Sequence, residues 1–190
     1  MTSHDTEPTR SALVRLLARH AYQEGDFVLA SGKSASFYLD AKQVTYKSDG
    51  ARLVGDAVLD LIQPYHVTAV GGMTLGADAI VASTVVAGDL RGAPLDGFIV
   101  RKEAKGHGLG KYLEGVSPEG RRVAVVEDVV TTGGSALRAV ERIREVGAEV
   151  VVAVTLVDRE QGGAEAFAEA GIPLHAVTTI SQIREVLSGV

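Results

Sequence analysis

Short apolar runs alternate along this chain with stretches in which apolar residues return every three or four positions. The runs are Val67 to Val70, Phe98 to Val100, Val123 to Val126, Val150 to Val157 and Leu174 to Val177. Each suits a buried strand of a parallel sheet. Val150 to Val157 is the most β-branched of them and predicts a central strand. Between the runs, helical spacing predicts helices over 77–86, from about Leu137 to Val146, over 163–170 and over 180–188. Gly147 closes the second of these. Upstream, Leu53, Val54, Val58, Leu61 and Ile62 mark a helix that begins near Asp49 and stops before Pro64.

The first part of the chain reads differently. Leu13, Leu16 and Leu17 predict a helix ending near Tyr22 to Gly25. Phe27 to Leu29 and Phe37 to Leu39 predict two short strands, joined through Ser31-Gly32-Lys33 as a hairpin. The whole pattern predicts an α/β fold, a mainly parallel sheet flanked by helices on both faces. Residues 1–190 are expected to form one domain, with a small hairpin and helix hood at about 1–48 packed on the core. Such sheets bind ligands at the carboxyl ends of their strands, and Gly71, Glu127, Asp128 and Arg159 all fall at predicted strand ends.

Composition narrows the function classes. Apolar residues make up 46% and charged residues 23%, a globular balance. With 19 basic against 24 acidic residues the net charge is −5, which argues against general nucleic-acid binding by bulk charge. There is no cysteine, hence no disulfide and no thiolate chemistry. No run approaches the ~18 apolar residues of a membrane helix, and Met1 to Arg10 is polar, so a cytoplasmic protein without membrane partners is expected.

The densest chemistry follows the run at Val123. Glu127 and Asp128 stand where that strand is expected to end, followed by Val129, Val130 and the small residues Thr131-Thr132-Gly133-Gly134-Ser135 at the predicted helix start. Unpaired N–H groups in such a loop can wrap an anion, and the helix adds its positive dipole end. Thr131, Thr132 and Ser135 can add hydroxyl donors, and the carboxylates can accept from sugar hydroxyls or hold a divalent cation through water. A phosphorylated sugar satisfies both halves. An ordinary strand-to-helix turn with capping residues would carry the same letters. Val125-Val-Glu-Asp-Val-Val-Thr-Thr-Gly-Gly-Ser135 resembles the phosphoribosyl-pyrophosphate (PRPP) signature of the type I phosphoribosyltransferases. The resemblance implies that Glu127 and Asp128 lie by the ribose hydroxyls and that the loop after them holds the 5-phosphate.

A second constellation is Arg101-Lys-Glu-Ala-Lys-Gly-His-Gly-Leu-Gly-Lys111, basic, glycine-rich and with almost nothing to bury. It predicts a mobile surface segment. Taken alone it reads as a solvated basic turn. Two anion-oriented segments in one chain fit a polyphosphate substrate better than either does separately. Arg101-Lys102-Glu103-x-Lys105-x-His107-Gly108 resembles the catalytic loop of the orotate phosphoribosyltransferases. That resemblance implies that Arg101, Lys102, Lys105 and His107 hold the pyrophosphate of PRPP, and that the loop serves a neighbouring subunit of a homodimer. Val157-Asp-Arg-Glu160 resembles the family's segment whose arginine, here Arg159, binds the orotate carboxylate. Ser31-Gly32-Lys33 with Phe37-Tyr38 resembles its orotate-side hairpin, and Thr131 is expected to help hold the base. The family further implies Mg²⁺, held mainly by the substrate and through water by Glu127 or Asp128. It also implies a role in pyrimidine (UMP) biosynthesis. The resemblance runs from about Gly25 to Arg159.

Two positions depart from the family pattern. Ala30 stands where a lysine is common, and the loop Gly71-Gly-Met-Thr-Leu-Gly76 lacks the usual lysine, which shifts phosphate-binding charge onto Lys102 and Lys105. Lys42 or Lys33 could compensate on the hairpin side. Other motifs fail: Phe27 occupies the glycine position a P-loop would need before Gly32-Lys33-Ser34. Gly106, Gly108 and Gly110 have the wrong spacing for a dinucleotide fingerprint, and Ser135 lacks a nucleophile elbow. Asp158 and Glu160 could instead be surface ion partners of Arg159. The alternatives are transfer to another nucleobase, or a PRPP-sensing regulator without catalysis.

Overall fold

The computed structural model describes residues 6–28, 34–104 and 112–189. Helix α1 (Thr6–His20) leads into an antiparallel hairpin of β1 (Tyr22–Val28) and β2 (Ser34–Leu39). A one-turn helix α2 (Lys42–Thr45) and α3 (Ser48–Ile62) follow, then a 3-10 turn at Gln63–Tyr65. Strand and helix alternate from there: β3 (Ala69–Met73), α4 (Asp78–Leu90), β4 (Asp96–Val100), β5 (Leu113–Gly115), β6 (Arg122–Val130), α5 (Gly134–Glu145), β7 (Glu149–Asp158), α6 (Gly163–Glu169), β8 (Leu174–Thr179) and α7 (Ile180–Ser188). The large sheet has the order β5-β4-β3-β6-β7-β8, parallel throughout except for the antiparallel β4–β5 pair.

The expected α/β architecture is what forms, and β6 displays its cause. Successive side chains of a strand face opposite sides. Ala124 and Val126 join a core with Leu13 and Leu17 of α1, Val54 and Val58 of α3, Ile80 of α4 and Ile183 of α7. Val123 and Val125 join a second core with Ala139, Val140 and Ile143 of α5 and Phe167 of α6. A strand buried on both faces must read as an unbroken apolar run, as this one does. Tyr22 and Phe37 of the hairpin belong to the first core, so the hood is packed onto the same layer as α1 and α3.

Several boundaries differ from the sequence reading. The first helix ends at His20 and Tyr22 already opens β1, because Tyr22 pairs with Leu39 and buries its ring. β6 runs on to Val130, since β7 pairs with it as far as Val130 and Asp158; Glu127 and Asp128 therefore lie within the strand, not beyond it. Gly71 likewise sits mid-strand in β3. β7 is an interior strand, while the two middle places of the six-stranded sheet belong to β3 and β6. Val146 is exposed at the end of α5. β5 and α2 were not expected: three and four residues are too few for a period to register.

Close backbone approach sets one local requirement. A Cβ on Gly72 would lie 2.1 Å from the carbonyl oxygen of Val126 and 2.6 Å from Cβ of Ala77. Neither neighbour is the free end of a flexible side chain. Gly72→Ala should cost about 1–3 kcal/mol of stability, as overpacking does, read as a lowered urea midpoint. An unchanged midpoint would mean that β3 and β6 separate there without penalty.

Candidate functional site

The carboxyl ends of β3, β4, β6 and β7 bring the site residues together. β6 presents Glu127 and Asp128, then turns at Thr131-Thr132 into Gly133, whose φ of 79° is the left-handed region that glycine occupies without strain. Residues 129 to 136, with Glu127, line a cradle of about 130 Å³ at the start of α5. The sequence expected an anion site there, and backbone N–H groups at a helix start suit one. The N–H of Arg159, just past β7, donates to the carbonyl of Val130 at 2.9 Å and ties the two strand ends together.

Glu127 is 8% exposed, and its Oε2 is buried with no hydrogen-bond partner among the described residues. Burial first, and the adjoining Asp128 charge second, push its carboxyl up to about 8 from an ordinary 4.5. The glycine-rich segment after β3 closes on this pair. A Cβ on Gly76 would meet Asp128 Oδ1 at 2.6 Å and Glu127 Oε1 at 2.7 Å, so no other residue could back onto the carboxylates so closely. Thr74 in the same segment donates its N–H to the carbonyl of Val100 at 2.9 Å, which joins the end of β4 to the group.

Lys42 supplies a cation from α2. Its Nζ lies 2.8 Å from Asp40 Oδ1 and 3.4 Å from Asp128 Oδ2. Partial burial works against its charge, but the two carboxylates more than offset this and hold its pKa above the ordinary value. Of the two compensating lysines considered from sequence, Lys42 thus reaches the acidic pair. Lys33, Ala30 and the Ser31-Gly32 turn lie outside the described residues.

On the hairpin side Arg159 lays its guanidinium over Phe37, with Cζ 4.6 Å from the ring centroid. Its Nε is buried without a partner among the described residues, and burial lowers its pKa from the usual guanidinium value. Phe37 is 8% exposed and stacks on Tyr22 at 5.5 Å, while Tyr38 is 44% exposed and packs on Phe27. Adjacent strand residues face opposite ways, so only Phe37 of this expected pair turns its ring to Arg159. Arg184, which the sequence reading missed, sits 4.9 Å from the same Phe37 ring and donates from Nε to the Tyr22 hydroxyl at 3.2 Å. Nothing local marks it, since α7 is far away in the chain.

The surface ion-pair reading of Asp158 and Glu160 does not hold. Asp158 accepts from the N–H of Glu160 at 2.8 Å, and Glu160 accepts from the N–H and hydroxyl of Ser181 at 3.2 and 2.5 Å. Those Ser181 bonds lower its pKa, and no ion pair to Arg159 forms among the described residues.

At the end of β4, Arg101 places Nη1 3.4 Å from Glu114 Oε1, and Lys102 is exposed. Lys105 and His107 lie outside the described residues. No cluster of three or more metal-ligating side chains occurs among the described residues. The oxygen donors at the site are Glu127 and Asp128, hard ligands that suit a cation kept mostly by substrate and water. The unpartnered Oε2 of Glu127 leaves one lone-pair position open to such a cation's water or to a hydroxyl.

The raised pKa has a consequence in the ligand-free protein. A carboxyl with a higher pKa folded than unfolded binds more protons in the folded state. Its contribution is complete below the unfolded value near 4.5 and is lost as pH climbs through about 8. Stability should fall across that window by at most about 1.4 kcal/mol per pH unit from this group, and Glu127→Gln should flatten the slope. Urea unfolding at several pH values reads it; an unchanged slope in the glutamine variant would assign the dependence to other groups.

Comparison with known proteins agrees with this geometry. The model of the phosphoribosyl transferase domain matches residues 77–168. A Nostoc sp. protein named orotate phosphoribosyltransferase is 47% identical over 182 residues, covering 95% of this chain and 88% of that protein. The crystal structure of Mycobacterium tuberculosis orotate phosphoribosyltransferase with Fe(III) dicitrate superposes with a TM-score of 0.84 at 39% identity, covering 93% of this chain and 99% of that one. The same enzyme in complex with PRPP gives 0.80 at 35% identity, covering 93% and 99%. The chain belongs to the orotate phosphoribosyltransferase family.

Proposed function

We propose that this chain transfers the phosphoribosyl group of PRPP to orotate, giving orotidine 5′-monophosphate and pyrophosphate, in the cytoplasmic synthesis of UMP. The observation that carries the reading is one end of the sheet holding both halves of a substrate site. A phosphate-sized cradle and two carboxylates adjoin on β6, and an arginine with an unpartnered Nε lies over a buried ring beside them.

In this reading Thr131 to Ser135 bind the 5-phosphate through backbone N–H groups and hydroxyls, with the backbone of Val129 and Val130 shaping the cradle. Glu127 and Asp128 accept from the ribose hydroxyls, which meets the buried Oε2 that is otherwise unpaired. Lys42 pairs with Asp128 and holds it in place. Arg159, with Thr131 and the backbone at Phe37 and Tyr38, orients the planar anionic base. The C1 bond of PRPP to the pyrophosphate oxygen breaks, the bond to N1 of orotate forms, and the proton of N1 passes to the released pyrophosphate. The ribosyl centre passes through oxocarbenium character, so positioning and charge stabilisation do most of the work. Arg101, Lys102, Lys105 and His107 meet the charge growing on the leaving group. Mg²⁺, held by the substrate and through water by Glu127 or Asp128, supplies charge neutralisation when bound.

The test is PRPP and Mg²⁺ offered in parallel with orotate, uracil, hypoxanthine and adenine. Orotate alone should be consumed. Arg159→Lys should raise KM for orotate by about tenfold or more, since lysine cannot copy the paired contact of a guanidinium with a carboxylate, and leave KM for PRPP within about twofold. Consumption of another base, or equal loss of both substrates, would overturn the reading.

The same reading includes a homodimer in which the basic segment after β4 serves the partner's site. The groove between α3 and α4 supports a second copy. Ala51, Ala82, Ser83 and Ala87 line it together with the charged Arg52 and Asp56, and its lining residues Val86 and Leu90 stand 58% and 80% exposed. Lys105→Ala subunits mixed with Asp128→Asn subunits should regain roughly a quarter of wild-type activity, because random pairing makes about half the dimers mixed and each then has one intact site. No recovery despite proven subunit exchange would show that each segment serves its own subunit.

A further inference from the structure

Arg142 lies on α5 roughly two turns past the phosphate cradle. A basic side chain in the last turn of a helix ordinarily turns to that helix's own terminal carbonyls. Arg142 instead reaches to the other end of the site. Its Nη1 donates to the carbonyl of Arg101, and its Nη2 donates to the carbonyl of Lys102 at 3.0 Å. Its Cζ stands 3.9 Å over the ring of Tyr112, and Nη1 also lies 4.0 Å from Met73 Sδ at the end of β3. The N–H of Arg101 donates to the carbonyl of Tyr112 at 2.7 Å, so the first residues of the basic segment and the residue that follows it meet under one guanidinium.

This is a use of the planar fork that lysine cannot copy. Two parallel donors meet two consecutive carbonyls while the flat face stacks on an aromatic ring. The contact fixes peptide groups, not side chains, and the second of those peptides carries Lys102. We propose that Arg142 is a positioning residue: it holds the backbone at Arg101 and Lys102 so that the Lys102 ammonium is presented to the pyrophosphate, in register with a 5-phosphate held at the start of the same helix α5. The inference rests on the reading of Lys102 as a pyrophosphate contact.

The test is calorimetric binding of magnesium pyrophosphate and, separately, ribose 5-phosphate. The proteins are wild type, Arg142→Gln, Arg142→Lys, Lys102→Ala and the double variant Arg142→Gln/Lys102→Ala. Both Arg142 variants should weaken pyrophosphate binding by about ten- to a hundredfold, the cost of misplacing a contact by about 1 Å. The lysine variant keeps the charge and serves as the readout if glutamine impairs folding. Adding Arg142→Gln to Lys102→Ala should weaken pyrophosphate binding by less than about threefold more, since coupled residues are not additive. Ribose 5-phosphate affinity should stay within about twofold of wild type in every variant, because the cradle at the far end of α5 is untouched. Wild-type pyrophosphate affinity in both Arg142 variants would overturn the inference. So would a full additional loss in the Lys102→Ala background, or a matching loss of ribose 5-phosphate affinity, which marks a general disturbance of α5. Orotate turnover by the wild type, assayed alongside, judges the functional reading independently of these affinities.

Discussion

Two carboxylates on neighbouring residues of a buried strand are the constraint to which the rest of the site answers. Like charges this close repel, and desolvation penalises both, so one proton tends to stay. The chain meets the cost in three ways. Glu127, the more buried member, holds its proton up to about pH 8. Asp128 turns to the Lys42 ammonium and accepts the N–H of Val129 at 2.9 Å. Gly76 keeps the neighbouring segment free of any side chain that would wedge the pair apart. A ligand bearing hydroxyls relieves what remains, by giving the unpaired Oε2 a donor. The cost of the unliganded pair and its capacity to accept a donor are two faces of one arrangement.

That arrangement also gives Lys42 its place. A cation is needed near the acidic pair, but its position in the chain is free so long as its ammonium arrives. Here it arrives from α2, a four-residue helix pinned when Gln43 and Val44 donate backbone N–H groups to the carbonyls of Asp40 and Ala41. Val44 and Thr45 are buried and anchor it, leaving Lys42 to extend toward Asp128. A short helix between a hairpin and a long helix carries too little periodicity to be read in advance, which is why Lys42 could only be a candidate beside Lys33 from sequence.

The legible parts of the molecule were those whose signal is local. Strands buried on both faces write unbroken apolar runs, so β3, β4, β6, β7 and β8 were readable, as were α3 and α5 with their three- and four-residue spacing. The loop after β6 was readable because its small residues and glycines adjoin in sequence. The end of β6 was not. Charged residues at 127 and 128 look like the end of a run, yet pairing with β7 through Val157 and Asp158 carries the strand past them. β5 was lost for a related reason: it exists because β4 offers it an edge, with Phe98 opposite Gly115 and Val100 opposite Leu113. Tertiary pairing decided both.

Side-chain reach across the fold is the remaining gap, and Phe37 shows its character. In the hairpin Phe37 and Tyr38 look equivalent, a doublet of aromatics. The pleat separates them, and three distant residues then define Phe37's surroundings: Tyr22 by stacking, Arg159 from the end of β7 and Arg184 from α7. Arg184 is also bonded to the Tyr22 hydroxyl, which in turn donates to Glu24 Oε1 at 3.2 Å. The hairpin is two strands, too few to be stable alone, and depends on being pinned to larger elements. The cations that pin it come from α7 and from the end of β7, the strand that pairs with β6 beside the 131–135 loop. Hairpin and cradle therefore share a frame through β7, although the cations that pin the hairpin lie more than a hundred positions from it in the chain.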